Sequence, residues 1–159
     1  MLFRSLLHRA PGVIGAALDS GASVEIICDG LHVHPSVIRA TYKMFGDKVN
    51  LISDSLRCAG MPDGDYELGG QPIVVSGGKA TLLDGTLAGS SISVLDAVKR
   101  AVKFGLPLEW AVYAASTAPA TAAGLDAGVI ECGRAADLVV LDRDLNLLAV
   151  FVDGQRQDL

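Results

Sequence analysis

Aromatic side chains are scarce, at 5% of the 159 residues with a single Trp. Trp110, Tyr113 and Phe151, together with Met61, fall at no spacing that suggests a cofactor box and read as packing residues. Basic residues are also few. Thirteen Lys and Arg against 18 Asp and Glu leave a formal charge of −5, which argues against a generic electrostatic grip on nucleic acid or anionic lipid. No apolar run approaches the roughly 20 residues of a membrane-spanning helix, so no membrane partner is expected. The first nine residues lack the continuous apolar segment and small-residue cleavage site of a signal peptide. Three cysteines (Cys28, Cys58 and Cys132) are odd in number and widely spaced among apolar neighbours. They read as reduced core thiols of a cytoplasmic protein, not a disulfide frame or a zinc site. With half of its residues hydrophobic, the chain is not disordered.

The pattern that is present is α/β. A short helix is expected between Pro11 and Asp19, stopped by Ser20-Gly21. Val24-Glu25-Ile26-Ile27-Cys28 and Val49-Asn50-Leu51-Ile52-Ser53 read as strands buried on both faces, the intervening helix opening at Pro35 and closing at Gly46-Asp47. Strand, helix, strand with short connections predicts parallel neighbours. The Gly-, Pro- and Asp-rich stretch 60–85 contains two β-like runs around Ser76-Gly77-Gly78-Lys79, which predict a hairpin. Helices are expected over 93–104, 107–115 and about 119–123, and strands over 137–141 and 147–152.

Both buried strands run into acid-bearing segments, and ligands of α/β proteins gather beyond the carboxyl ends of parallel strands. Asp54 therefore suits general acid/base work or, equally, capping of the segment that follows. His32 and His34 alternate as two metal ligands on an extended segment do. A single His-x-His pair is weak evidence, and His34 before Pro35 also suits a helix start. Gly85-Thr86-Leu87-Ala88-Gly89-Ser90-Ser91 reads as the opening of a helix, either a cradle for a phosphate or sugar oxygen or a glycine-rich turn with a serine cap. Arg9, ahead of Pro11-Gly12, could pair bidentately with an anion.

The ordered set His8-Arg9-Ala10-Pro11-Gly12, Asp29-Gly30-Leu31-His32-Val33, Leu51-Ile52-Ser53-Asp54 and Gly85 to Ser91 resembles the N-acetylglucosamine-6-phosphate deacetylases of the amidohydrolase superfamily. So does Gly133-Arg134-Ala135-Ala136-Asp137-Leu138-Val139 near the end. The resemblance implies the C-terminal part of a metal-dependent (β/α)8 TIM barrel over 1–132, contributing the last two strands and helices, with a β-hairpin insertion near 66–84. Residues 133–159 would then be strands of a small β-sandwich domain. It also implies hydrolysis of the acetamido group of N-acetylglucosamine 6-phosphate to glucosamine 6-phosphate and acetate. In that scheme Asp54 is the general base that activates water and then the acid that protonates the leaving amine. Asp29, Gly30, Leu31 and His32 form a substrate loop, Leu87, Ala88 and Gly89 line the sugar pocket, and Arg9 meets the phosphate, often across a subunit boundary in a homo-oligomer. The divalent metal, of the zinc or iron class, is held in that family by a glutamate and two histidines that precede the matched region. The place of the last of them here holds Met1-Leu2-Phe3-Arg4, so the chain is expected to be a fragment without the metal-ligand half. The alternatives are an inactive truncated product or association module, and another amidohydrolase such as a cyclic-amide hydrolase or deaminase.

Overall fold

The computed structural model describes residues 6–158; the Met1–Arg4 segment lies outside them. In chain order the elements are α1 (Gly12–Ser20), β1 (Val24–Ile27), α2 (Pro35–Phe45), β2 (Val49–Ile52), β3 (Gly64–Leu68), β4 (Gln71–Ser76), β5 (Lys79–Leu82), β6 (Leu87–Gly89), α3 (Val94–Lys103), α4 (Leu108–Ala115), α5 (Thr117–Ala123), β7 (Leu138–Leu141), β8 (Leu147–Val152) and β9 (Gln155–Arg156). They make a parallel pair β1–β2, a four-stranded antiparallel sheet β3–β4–β5–β6 and a three-stranded antiparallel sheet β7–β8–β9.

The expected strand, helix, strand unit is present. β1 and β2 pair in parallel, from Val24 opposite Val49 to Ile27 opposite Ile52. The crossover α2 starts where its sequence dictates. Pro35 occupies the first turn, and the His34 ring nitrogen Nδ1 accepts the Ser36 N–H at 3.2 Å. The helix buries Ile38, Thr41 and Phe45, spaced to fall on one stripe. Ile38 is fully buried, a contribution of about 1.5–3 kcal/mol. Its cluster includes β1's Ile26, Cys28 just after it, and β2's Val49 and Leu51, with Ala97, Ala101, Trp110 and Ala111 of α3 and α4. Trp110 donates its indole N–H to the Gly46 carbonyl at 2.8 Å and meets the Tyr42 ring edge-on at 4.8 Å. α3 is fixed by a capping box, in which Ser93 and Asp96 satisfy each other's backbone N–H groups.

Several expectations are corrected. β1 is covered on one face only, since Glu25 is exposed and Ile27 half-buried, whereas β2 is buried on both faces as expected, Val49, Asn50 and Leu51 all being buried. The hairpin is the middle of a four-stranded meander, whose β3 pairs with β4 from Gly64–Val75 to Leu68–Gln71. β3 escaped notice because only Tyr66 is even half-buried, so its sequence carries no apolar alternation. Its turn was legible in principle: Gly69-Gly70 at φ 57° and 84° is the two-residue loop that suits a right-twisted hairpin. Residues 85–91 do not open a helix. They carry β6, paired with β5, and the helix begins three residues after the segment ends, at Val94. Cys28 and Cys58 are buried, whereas Cys132 is exposed and is no core thiol. Met61 is 56% exposed and takes little part in packing.

Candidate active site

The site is built at the carboxyl ends of the parallel pair. Ile26 and Leu51 turn into the helical core, and Glu25, Ile27, Asn50 and Ile52 line a cavity of about 960 Å³ together with His32 and Leu87. Asn50 Oδ1 is buried there without a hydrogen-bond partner among the described residues. This cavity brings together two of the expected site segments, the 29–32 loop and β6.

The loop after β1 is folded around Asp29, which is only 3% exposed. Its Oδ1 accepts the backbone N–H groups of Leu31 and His32, both at 2.8 Å. Its Oδ2 lies 2.6 Å from His32 Nδ1. The Asp29 carbonyl accepts from Arg100 Nη1 at 2.6 Å, which ties the loop to α3. Gly30 turns the chain at φ 74°, and a Cβ there would stand 2.8 Å from the Phe104 ring. Leu31 is 45% exposed. The neighbouring Cys28 thiol is pushed up to about 12, mainly by burial and secondly by the Asp29 charge.

Asp54 follows β2 and is exposed; it is not itself among the residues lining the cavity. It adopts φ 49°, a left-handed conformation uncommon outside glycine and better tolerated by Asp than by most side chains. The chain then turns to pair with the end of the meander: the Ser90 N–H donates to the Asp54 carbonyl at 3.3 Å and the Leu56 N–H to the Ser90 carbonyl at 2.8 Å. Ser55 Oγ donates to the Ile92 carbonyl at 2.6 Å. Asp54 caps no helix, because the next helix among the described residues is α3. Of the β6 trio, Leu87 lines the cavity, Ala88 packs on the meander's small core, and a Cβ on Gly89 would meet Leu56 at 2.8 Å.

Arg9 stands apart. It is exposed in a tight turn closed by the Leu7–Ala10 bridge and is not among the residues lining this cavity. His32 and His34 each have Nδ1 engaged, one facing Asp29 and the other capping α2. No three His, Cys, Asp or Glu side chains converge among the described residues, so these residues do not by themselves make a metal cradle. Arg100 and Ser90 were missed from sequence. Arg100 passes for a solvated lysine-like residue, yet it lies three positions after the buried Ala97 and so flanks the covered stripe. Ser90 gave no signal beyond its glycine-rich surroundings.

The sequence profile of the amidohydrolase family matches residues 17–156. The chain belongs to the amidohydrolase family. Among its relatives, a provisionally named N-acetylgalactosamine-6-phosphate deacetylase of Escherichia coli K12 is 38% identical over 94% of this chain and 92% of its own length. The N-acetylglucosamine-6-phosphate deacetylase structure from Pasteurella multocida superposes with a TM-score of 0.90 at 37% identity, over 95% of this chain and 41% of that one. The Mycobacterium smegmatis enzyme, solved as a mutant with N-acetyl-D-glucosamine 6-phosphate, gives 0.89 at 37% identity over 96% and 42%. Against other curated relatives the chain likewise spans about two fifths of their length. The 133–139 segment has a structural task here. Asp137 Oδ1 accepts the Asp153 N–H at 2.7 Å and the Ala136 carbonyl accepts from Gly154 at 3.1 Å, clamping the start of β7 to the β8–β9 turn.

Proposed function

We propose that this chain is the carboxyl-terminal portion of an N-acetylglucosamine-6-phosphate deacetylase, in which Asp54 carries the proton transfers of acetamide hydrolysis. The observation that carries the reading is Asp54 itself: an exposed carboxylate, held at φ 49° directly beyond a buried parallel strand, beside the β6 segment that shares a cavity with His32. Hydrolysis of an amide needs a base to take a proton from the attacking water and an acid to return it to the departing nitrogen. One carboxylate positioned between the two does both, because taking the first proton makes it the acid for the second. His32, with the loop Asp29, Gly30 and Leu31, and Leu87, Ala88 and Gly89 form the sugar side of the site. Arg9, on its exposed turn, is placed to meet a phosphate in a second subunit of a homo-oligomer.

Residues 1–132 belong in this reading to the last two strands and helices of a (β/α)8 barrel, and 133–159 to a small β-sandwich. The divalent metal of the zinc or iron class takes its ligands from polypeptide other than these residues. A phosphorylated sugar does not cross a bilayer unaided, so in this reading the enzyme works in the compartment where that sugar is made, which we take to be the cytoplasm. A second reading changes only the epimer. Two relatives named for N-acetylgalactosamine 6-phosphate are each 38% identical, against 37% for the Vibrio furnissii and Bacillus subtilis relatives named for the gluco sugar.

The test is acetate release from both sugar phosphates, by the chain alone and by the chain combined with the amino-terminal part of the Pasteurella relative as a separate polypeptide. Release is expected from the combination. Asp54→Asn should lower it by about 10²–10⁴-fold while metal content stays the same. A co-purifying complex whose turnover ignores Asp54→Asn removes Asp54 from the mechanism.

A further inference from the structure

We infer that Asp29 is a positioning residue: it locks His32 with a proton on Nδ1 and leaves Nε2 as the ring atom offered to the ligand. The inference rests on the deacetylase reading for the ligand's identity but not for the geometry. Resemblance puts Asp29 among the substrate-contacting residues, and the structure gives it other work. Its side chain is 2% exposed, and both oxygens are engaged within its own loop. One oxygen holds the Leu31 and His32 N–H groups and the other holds the His32 ring at 2.6 Å.

A carboxylate only accepts, so the facing ring nitrogen has to be the donor. Nδ1 therefore carries a hydrogen whether the ring is neutral or cationic. The His32 side chain is 21% exposed, and the residue lines the cavity with Ile27, Ile52 and Leu87. With Nδ1 turned back to Asp29, Nε2 is the ring nitrogen left for the cavity. The loop that carries the pair is itself braced. Arg100 Nη1 grips the Asp29 carbonyl at 2.6 Å, and the turn at Gly30 sits against Phe104, so α3 fixes where the dyad stands. This is the arrangement by which a second group sets the tautomer and aim of a functional imidazole.

Asp29→Asn separates positioning from packing. The amide oxygen can still accept the Leu31 and His32 N–H groups, so the loop keeps its shape. The amide nitrogen then faces Nδ1 and donates, which demands a bare Nδ1 and moves the neutral ring's proton to Nε2. The measurement is the imidazole nitrogen spectrum of the full chain labelled with ¹⁵N-histidine, at a pH alkaline enough to leave the rings neutral. The native chain should show His32 with a protonated Nδ1 and a bare Nε2, and Asp29→Asn should show the reverse. A native His32 protonated on Nε2, or a folded Asp29→Asn chain with an unchanged tautomer, overturns the inference. Should the variant fail to fold, the native spectrum alone still decides the first point. In the reconstituted deacetylase, Asp29→Asn should cut kcat/KM by about 10-fold or more, as happens when carboxylates behind functional imidazoles are lost. The tautomer is read without substrate. A reversed tautomer with no acetate release from any version of the complex therefore refutes the deacetylase reading and leaves the positioning role standing.

Discussion

Gly30→Ala tests whether the 29–32 loop is as tightly specified as its contacts imply. Two costs are visible. The backbone at φ 74° is left-handed, a conformation that disfavours any side chain by about 1–2 kcal/mol. The new Cβ would also lie 2.8 Å from the tip of the Phe104 ring, inside any real contact distance. The ring tip can swing, so this second cost falls at the low end of overpacking, about 1 kcal/mol. Together they predict a loss of about 2–3 kcal/mol. With a urea slope of about 2 kcal/mol per molar, the unfolding midpoint should fall by about 1–1.5 M with the slope unchanged. In a Phe104→Ala background the steric part disappears, and Gly30→Ala should then cost only the backbone part, about 1–2 kcal/mol. A Gly30→Ala chain within about 0.5 kcal/mol of the native one, the range of an inconsequential surface change, would falsify the claim that glycine is required.

The remaining predictions concern groups whose ionisation the fold biases. Cys28 has its thiol raised from 9.0 to about 12 by burial, so a charged thiolate is excluded from the folded state; the stability this represents is complete below pH 9 and declines as the pH rises from 9 towards 12. At pH 8 a thiol reagent should label exposed Cys132 rapidly and reach Cys28 and Cys58 only on unfolding; rapid labelling of all three would contradict the core shown here. Partial burial pushes the Asp96 carboxyl up, but the Ser93 N–H and hydroxyl, with Lys99 and Arg100 nearby, outweigh it and hold the group below its ordinary 3.8. A depressed carboxyl stabilises above its unfolded value, and that contribution is lost as pH falls through the folded one. Protection from amide exchange in the first turn of α3, relative to free peptide at the same pH, should therefore fall below about pH 4, and in Asp96→Asn it should already be low at neutral pH and show little further change.

Legibility from sequence followed the range of the interactions. α2 could be read to the residue because its signals are local: Pro35 at the start, Gly46 at the end and an apolar stripe between them. The parallel pairing of β1 and β2 followed from the same short unit. β3, β6 and β9 could not be read. β3 is nearly all exposed, and β6 and β9 have three and two residues, too few to display a period. At the site, Asp54 and the 29–32 loop stood out because each follows a short, nearly all-apolar β-branched run. The roles of Arg100 and Ser90 were hidden, because each depends on a partner far along the chain: Asp29 is 71 positions from Arg100.

The two acids show how one scaffold sets different tasks for one side chain. Asp29 comes two residues after Ile27 and Asp54 two after Ile52, and Ile27 and Ile52 are register partners, so the two acids occupy equivalent places on neighbouring strands. Their surroundings then diverge. Asp29 is followed by Gly30, whose left-handed turn folds the next two N–H groups and the His32 ring back onto the carboxylate. A carboxylate so occupied has little capacity to accept a proton from water and much capacity to hold an imidazole still. At the other strand the left-handed turn falls on Asp54 itself, and the chain after it is drawn off to pair with Ser90. Its backbone carbonyl is engaged and the residue stays exposed. A proton-transferring group has to change partners during the reaction, whereas a positioning group has to keep them. On the proposed roles, the position of one left-handed residue, after the acid in the first loop and at the acid in the second, is what would divide the labour between them.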